Sequence, residues 1–167
     1  MIMRLLGKTG YNIYPVVYGG IVSMENGHSA SDRYVNYAVD HGVNYFDVAP
    51  TYGDAQEKLG ASLVPHRKNI YLACKTAQRG REGSQKELEE SLRLLKTDYF
   101  DNYQLHGLST IEELDAAFGP NGAMETLIKA KQSGITAKLG ITCHSEAVAL
   151  KAVALYDFDT VLFPLNW

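Results

Sequence analysis

Four side chains in this sequence are of types that move protons, and each follows an apolar run. Asp47 closes Tyr45-Phe46, Tyr52 follows Pro50-Thr51, Lys75 ends the run at residues 70–75, and His106 follows Gln104-Leu105. A free phenol titrates near pH 10, so it exchanges protons poorly at neutral pH. A neighbouring ammonium favours the phenolate. Lys75 serves this role for Tyr52 if their strand ends adjoin. Asp47 then pairs with Lys75 and holds it charged, and His106 donates a hydrogen bond to a substrate oxygen. Such a group suits proton transfer to a developing alkoxide. Hydride addition to a carbonyl creates that alkoxide, and the hydride calls for a redox cofactor. Taken singly, each residue has a plainer role: a loop-capping Asp, one of 11 tyrosines in a core, a loop histidine. The order and placement of all four carry the joint reading.

The elements that must position these groups alternate. A hairpin is expected at the start, with Arg4-Leu5-Leu6 and Tyr11-Asn12-Ile13-Tyr14 flanking Gly7-Lys8-Thr9-Gly10. Strands follow at residues 16–19, 45–47, 70–75, 99–105, 138–142 and 160–165. Gly19 and Gly20 stop the first of them and allow close backbone approach, which makes both candidate cofactor contacts. Helices are expected at residues 31–40 and 55–63, from Ser84, from Thr110, from Ala123 and from Ser145. Ser84 with Glu87, and Thr110 with Glu113, have capping-box spacing.

Short apolar strands alternating with helices specify a parallel α/β sheet. An open doubly wound sheet and a closed barrel both satisfy that pattern. No Gly-x-Gly-x-x-Gly follows the first strand, and polar residues end several different strands, which favours the barrel. A full (β/α)8 barrel takes about 250 residues, and only about six βα units are legible here. The expectation is a single domain over residues 1–167, a TIM-type barrel that stops short at its C-terminus, with unpaired edges that would encourage homo-oligomers.

Composition limits the partners. The chain has 167 residues, 46% apolar and 21% charged, with a net charge of -3. No basic block marks a nucleic-acid surface, and no window resembles a membrane span or signal peptide, so a cytoplasmic protein is expected. Two cysteines, Cys74 and Cys143, make neither a disulfide framework nor a metal site. Cys74 precedes Lys75 on a strand and should face the opposite way, toward helices.

The chain resembles the aldo/keto reductase family. The likeness is carried by Leu6-Gly7-Lys8-Thr9-Gly10, by Gly42-Val43-Asn44-Tyr45-Phe46-Asp47-Val48-Ala49-Pro50-Thr51-Tyr52-Gly53, by Glu57-Lys58-Leu59-Gly60, by Lys75-Thr76, by residues 91–99, by Gln104-Leu105-His106 and by residues 134–145. The resemblance implies a barrel capped at its base by the hairpin, and NADPH or NADH bound at the C-terminal face of the strands. It implies Tyr52 as general acid, Lys75 as its modulator, Asp47 as partner of Lys75, and His106 as orienter of a small-molecule carbonyl. It further places Thr142, Cys143 and Leu162 at the nicotinamide, although the family more often has serine, asparagine and glutamine there. The strand-helix units that hold the cofactor's phosphates in the family are not in this sequence. Three alternatives stay open: a catalytically incompetent fragment, a nonenzymatic cofactor-sensing or binding subunit of the same fold, and a barrel enzyme of another class using Lys75 as a Schiff-base amine.

Overall fold

The computed structural model describes residues 2–165. A two-stranded antiparallel ribbon, β1 (Arg4–Leu5) and β2 (Asn12–Ile13), opens the chain. The main sheet runs β3 (Tyr18–Gly19), β4 (Tyr45–Asp47), β5 (Tyr71–Thr76), β6 (Phe100–Leu108), β7 (Thr136–Cys143) and β8 (Thr160–Leu162), in chain order and parallel throughout. Between them lie α1 (His28–Asp40), α2 (Ala55–Leu63), α3 (Arg81–Leu94), α4 (Ile111–Phe118), α5 (Ala123–Gln132) and α6 (Glu146–Leu155). This is an incomplete α/β barrel of the TIM type, curled into a half-barrel. Among the described residues, no helix is long and apolar enough to cross a membrane.

Alternation along each strand divides the sheet into two faces. Phe46, Leu72, Cys74, Tyr103, Leu105, Leu139 and Ile141 are buried in one cluster with helix residues such as Val35, Leu59, Leu88, Leu127 and Val148. Cys74 lies among them, accepting a hydrogen bond from Gln56 Nε2 at 3.3 Å, as its parity with Lys75 requires. The opposite face carries Asp47, Asn102 and Gln104 around a groove of about 160 Å³, open where β3 and β8 have no outer strand partner among the described residues. At its base, Tyr11 stacks on Tyr71 at 4.2 Å, and Leu6 packs against Ile13, Tyr45 and Ala73. The ribbon therefore closes the N-terminal end of the strands.

Several boundaries differ from the sequence reading. Val16 and Val17 are exposed and precede β3, because that edge strand pairs only through Tyr18 and Gly19. α1 starts a turn earlier, at His28. α3 starts at Arg81, so Ser84 lies inside the helix and is no cap. Its supposed box partner Glu87 instead accepts from Thr76 Oγ1 at 2.6 Å and from the Ala77 amide at 2.9 Å, which secures the exit of β5. The box at Thr110 and Glu113 is present. β8 ends at Leu162, and Trp167 lies outside the described residues.

Gly60 of α2 is set by packing. A Cβ there would meet the Leu94 carbonyl oxygen at 2.0 Å and Leu95 Cα at 2.8 Å, both backbone. Gly60→Ala gains helix propensity of about 1 kcal/mol but forces α2 away from the end of α3. A net loss of about 1–3 kcal/mol is expected by urea denaturation.

Candidate active site

β4 and β5 are neighbours, with Asp47 paired in register to Ala73. Lys75, two residues further along β5, thus stands above Asp47 on the same face. Its Nζ donates to Asp47 Oδ2 at 2.5 Å and to Tyr52 Oη at 3.2 Å. The residue is wholly buried. Tyr52 arrives from the turn after β4, where Gly53 takes a positive φ of 52°. Because the phenolic oxygen accepts from Lys75, the Tyr52 proton is free to go to a third atom.

His106 comes up on the same face of β6. Its ring meets the Tyr52 ring edge-on, with centroids 5.8 Å apart and planes at 88°. Thr51 Oγ1 lies 3.4 Å from Nδ1. With Thr51 as donor, the tautomer carries its proton on Nε2. Tyr52, Lys75 and His106 share a cleft of about 290 Å³ with Thr142, Cys143, His144, Leu162, Phe163 and Pro164. All four sequence-predicted acid–base residues thus converge: three line the cleft, and Asp47 reaches it through Lys75.

The remaining predicted residues divide. Thr142 and Cys143, at the end of β7, and Leu162, at the end of β8, line the cleft. Thr142 Oγ1 accepts from the Gly107 amide at 2.6 Å, which leaves its own hydroxyl proton to donate. Cys143 is buried, which pushes its thiol up from the ordinary range. The close approach made by Gly20 is to the protein itself: a Cβ would meet Leu59 Cδ1 at 2.8 Å and the Asp47 carbonyl oxygen at 2.9 Å. At Gly19 the same construction meets open space.

Sequence reasoning gave no role to Gln104. Its Nε2 donates to Asp47 Oδ1 at 3.0 Å, so both carboxylate oxygens are held. The signal was available, since Gln104 precedes His106 by two residues and shares its face. Burial raises the Asp47 carboxyl above its usual range, against the downward pull of the Lys75 ammonium and Gln104 amide. Burial, with Lys75, Arg79 and His144 nearby, lowers His106 to about 4, so its imidazole is neutral at pH 7.

The parallel βα half-barrel thus gathers Asp47, Tyr52, Lys75 and His106 at one end of its strands. The chain belongs to the aldo/keto reductase family, whose profile matches residues 19–162. The uncharacterized oxidoreductase YqkF of Bacillus subtilis is 30% identical over 153 residues, a match covering 83% of this chain and 48% of that protein. An aldo-keto reductase of Mycolicibacterium smegmatis is 31% identical over 156 residues, covering 89% and 51%. The chain thus spans about half the length of these curated relatives. The holo form of aldo-keto reductase AKR11C1 from Bacillus halodurans superposes with a TM-score of 0.87 at 24% identity, covering 99% of this chain and 58% of that one. At that identity the likeness is one of fold.

The lowered His106 value sets a pH dependence. A histidine that titrates near 6.5 unfolded and near 4 folded binds its proton more weakly in the fold. Its contribution to stability is complete above about pH 6.5 and is lost as pH falls toward about 4. Asp47, shifted upward, acts in the opposite sense over the acid range. His106→Gln isolates the histidine. Denaturation midpoints measured from pH 7 to 4.5 should fall more steeply for the native chain than for the variant.

Proposed function

We propose that this chain carries the proton-transfer centre of an NAD(P)H-dependent reductase of aldehydes or ketones. The observation that carries the reading is the position of Lys75 Nζ, buried and bonded to both Asp47 and Tyr52. Tyr52 is the general acid, and its Oη gives a proton to the substrate oxygen as the carbonyl becomes an alcohol. Lys75 stabilises the phenolate left behind, which regains its proton from solvent. Asp47 holds Lys75 in place and charged, and Gln104 holds Asp47. His106, neutral, orients the carbonyl by a hydrogen bond from Nε2.

The residues present fit one end of the implied cofactor. Thr142 offers a hydroxyl donor for a carboxamide, and Leu162 and Phe163 add apolar wall to the same cleft. Cys143 lies beside them, and Gly19 stays in the proposed contact set across the sheet, whereas the space beside Gly20 is taken by Leu59 and the Asp47 carbonyl. A reduced nicotinamide bound there would supply the hydride. Lys75 is the sole lysine or arginine among the described residues lining the cleft, so phosphate groups gain little from this wall. That feature favours a second reading, in which the chain binds the cofactor weakly and senses it without turnover.

The test is a titration with NADPH and NADH that follows fluorescence of Trp167, then a panel of aldehydes and ketones. Saturable quenching with turnover supports the reductase; saturation without turnover on the panel supports the second reading. In the active form of the protein, Tyr52→Phe should lower kcat by about 10²-fold or more and leave cofactor affinity within about twofold. Turnover retained in Tyr52→Phe would contradict the assignment.

A further inference from the structure

Arg79 sits behind the cleft wall, three residues past β5. Its backbone carbonyl accepts from the Ala123 amide at 2.8 Å, which moors it to the head of α5. Its Nη2 donates to the Gly107 carbonyl at 3.4 Å and lies 3.6 Å from Glu113 Oε1. Nε and Nη1 are buried, and they have no hydrogen-bond partner among the described residues. A guanidinium so placed needs an account, because buried donors left unpaired are costly.

Gly107 supplies it. The residue follows His106 directly, with φ 62°, where β6 loses register with β7 between Leu105 and Leu108. The Gly107 amide donates to Thr142 Oγ1, and its carbonyl also accepts from Ser109 Oγ at 3.1 Å. The backbone that presents His106 is therefore held on one side by β7 and on the other by Arg79 and Ser109. Glu113 offers Arg79 only a long contact, because its Oε2 already accepts from the Ser109 amide at 2.8 Å within the cap of α4.

We propose that Arg79 is a positioning residue for His106: its guanidinium ties the Gly107 carbonyl of the β6 bulge to Glu113 at the head of α4 and leaves an incompletely neutralised positive charge behind the imidazole. The inference rests on the reading of His106 as the carbonyl's orienter. Charged and titratable groups near that ring come from several elements, Cys143 of β7 among them. Lys75 of β5 and Tyr52 after β4 lie within the cleft, His144 follows β7, and Glu87 of α3 is the nearby acid. Positive charge from Lys75 and Arg79 disfavours imidazolium, and Glu87 opposes it. A neutral His106 keeps one N–H to offer a substrate oxygen and adds no charge to compete with Tyr52 as the acid.

The test follows the five histidine Cε1–H resonances against pH in the 167-residue chain, with His106 assigned by its loss in His106→Gln. In Arg79→Met the His106 midpoint should rise from about 4 by roughly half a pH unit or more. Arg79→Lys, which keeps the charge, should restore about half of that change or more. A folded Arg79→Met with an unmoved His106 midpoint would overturn the proposal and leave Arg79 a packing residue. Should Arg79→Met not fold, Glu113→Gln decides. Loss of that carboxylate should move the midpoint down, and no movement overturns the proposal. The titration needs no cofactor or substrate. Failure of carbonyl turnover would therefore count against the reductase reading and leave the Arg79 assignment standing.

Discussion

The structure turns on a lysine ammonium taken out of water. Lys75 is fully buried at the end of β5, and its charge is tolerable only because Asp47 meets it across the β4–β5 pair. Removing both charges from solvent costs several kcal/mol per ion, and close contact with added hydrogen bonds must offset it. Gln104 supplies one such bond to the free oxygen of Asp47, and Tyr52 supplies an acceptor to Lys75. These contacts need three adjacent parallel strands in one register. The fold is what makes the pair possible, and the pair is what aims the phenol.

Around that centre the two ends of the half-barrel do different work. The base is apolar and aromatic, closed by the ribbon through Tyr11, Tyr71 and Tyr45. The upper end gathers polar groups from β4, β5, β6 and β7. Each exit is fixed by a particular contact: Glu87 on Thr76 and Ala77 after β5, Thr142 on Gly107 at the end of β6. The groove toward β3 and β8 stays open among the described residues, and the matched relatives are about twice as long as this chain. The Asp47–Lys75–Tyr52–His106 cluster is thus assembled within the described residues, and the cleft beside it is sparse in basic groups.

Strand–helix alternation was legible because several strands are short apolar runs set off by turn residues and helix starts. β4 and α2 fell at their expected bounds for that reason. Asp47, Tyr52, Lys75 and His106 were legible because parity and strand ends place them on one face. What escaped depended on contacts distant in sequence. Ser84 and Glu87 had capping-box spacing, yet the carboxylate is claimed by Thr76, eleven residues away. Arg79 stands in a polar loop with no periodicity, and its role emerges only from the Gly107 carbonyl it reaches. Val16 and Val17 carry strand-forming side chains, but an edge with one neighbour pairs too few residues to include them. Gly20 was read as making room for a ligand, whereas the space it spares is filled by Leu59 and the end of β4.

Asp47 and Lys75 act as one unit, and a double-mutant cycle on stability reads that coupling directly. Asp47→Asn, Lys75→Met and the double variant would be compared by urea denaturation at pH 7. Each single change strands a buried partner and should cost about 3–5 kcal/mol. The double variant removes both charges and should cost less than the sum, by at least about 1 kcal/mol. Costs that simply add would show that the two side chains stand independently, and the account of how Tyr52 is aimed would fail.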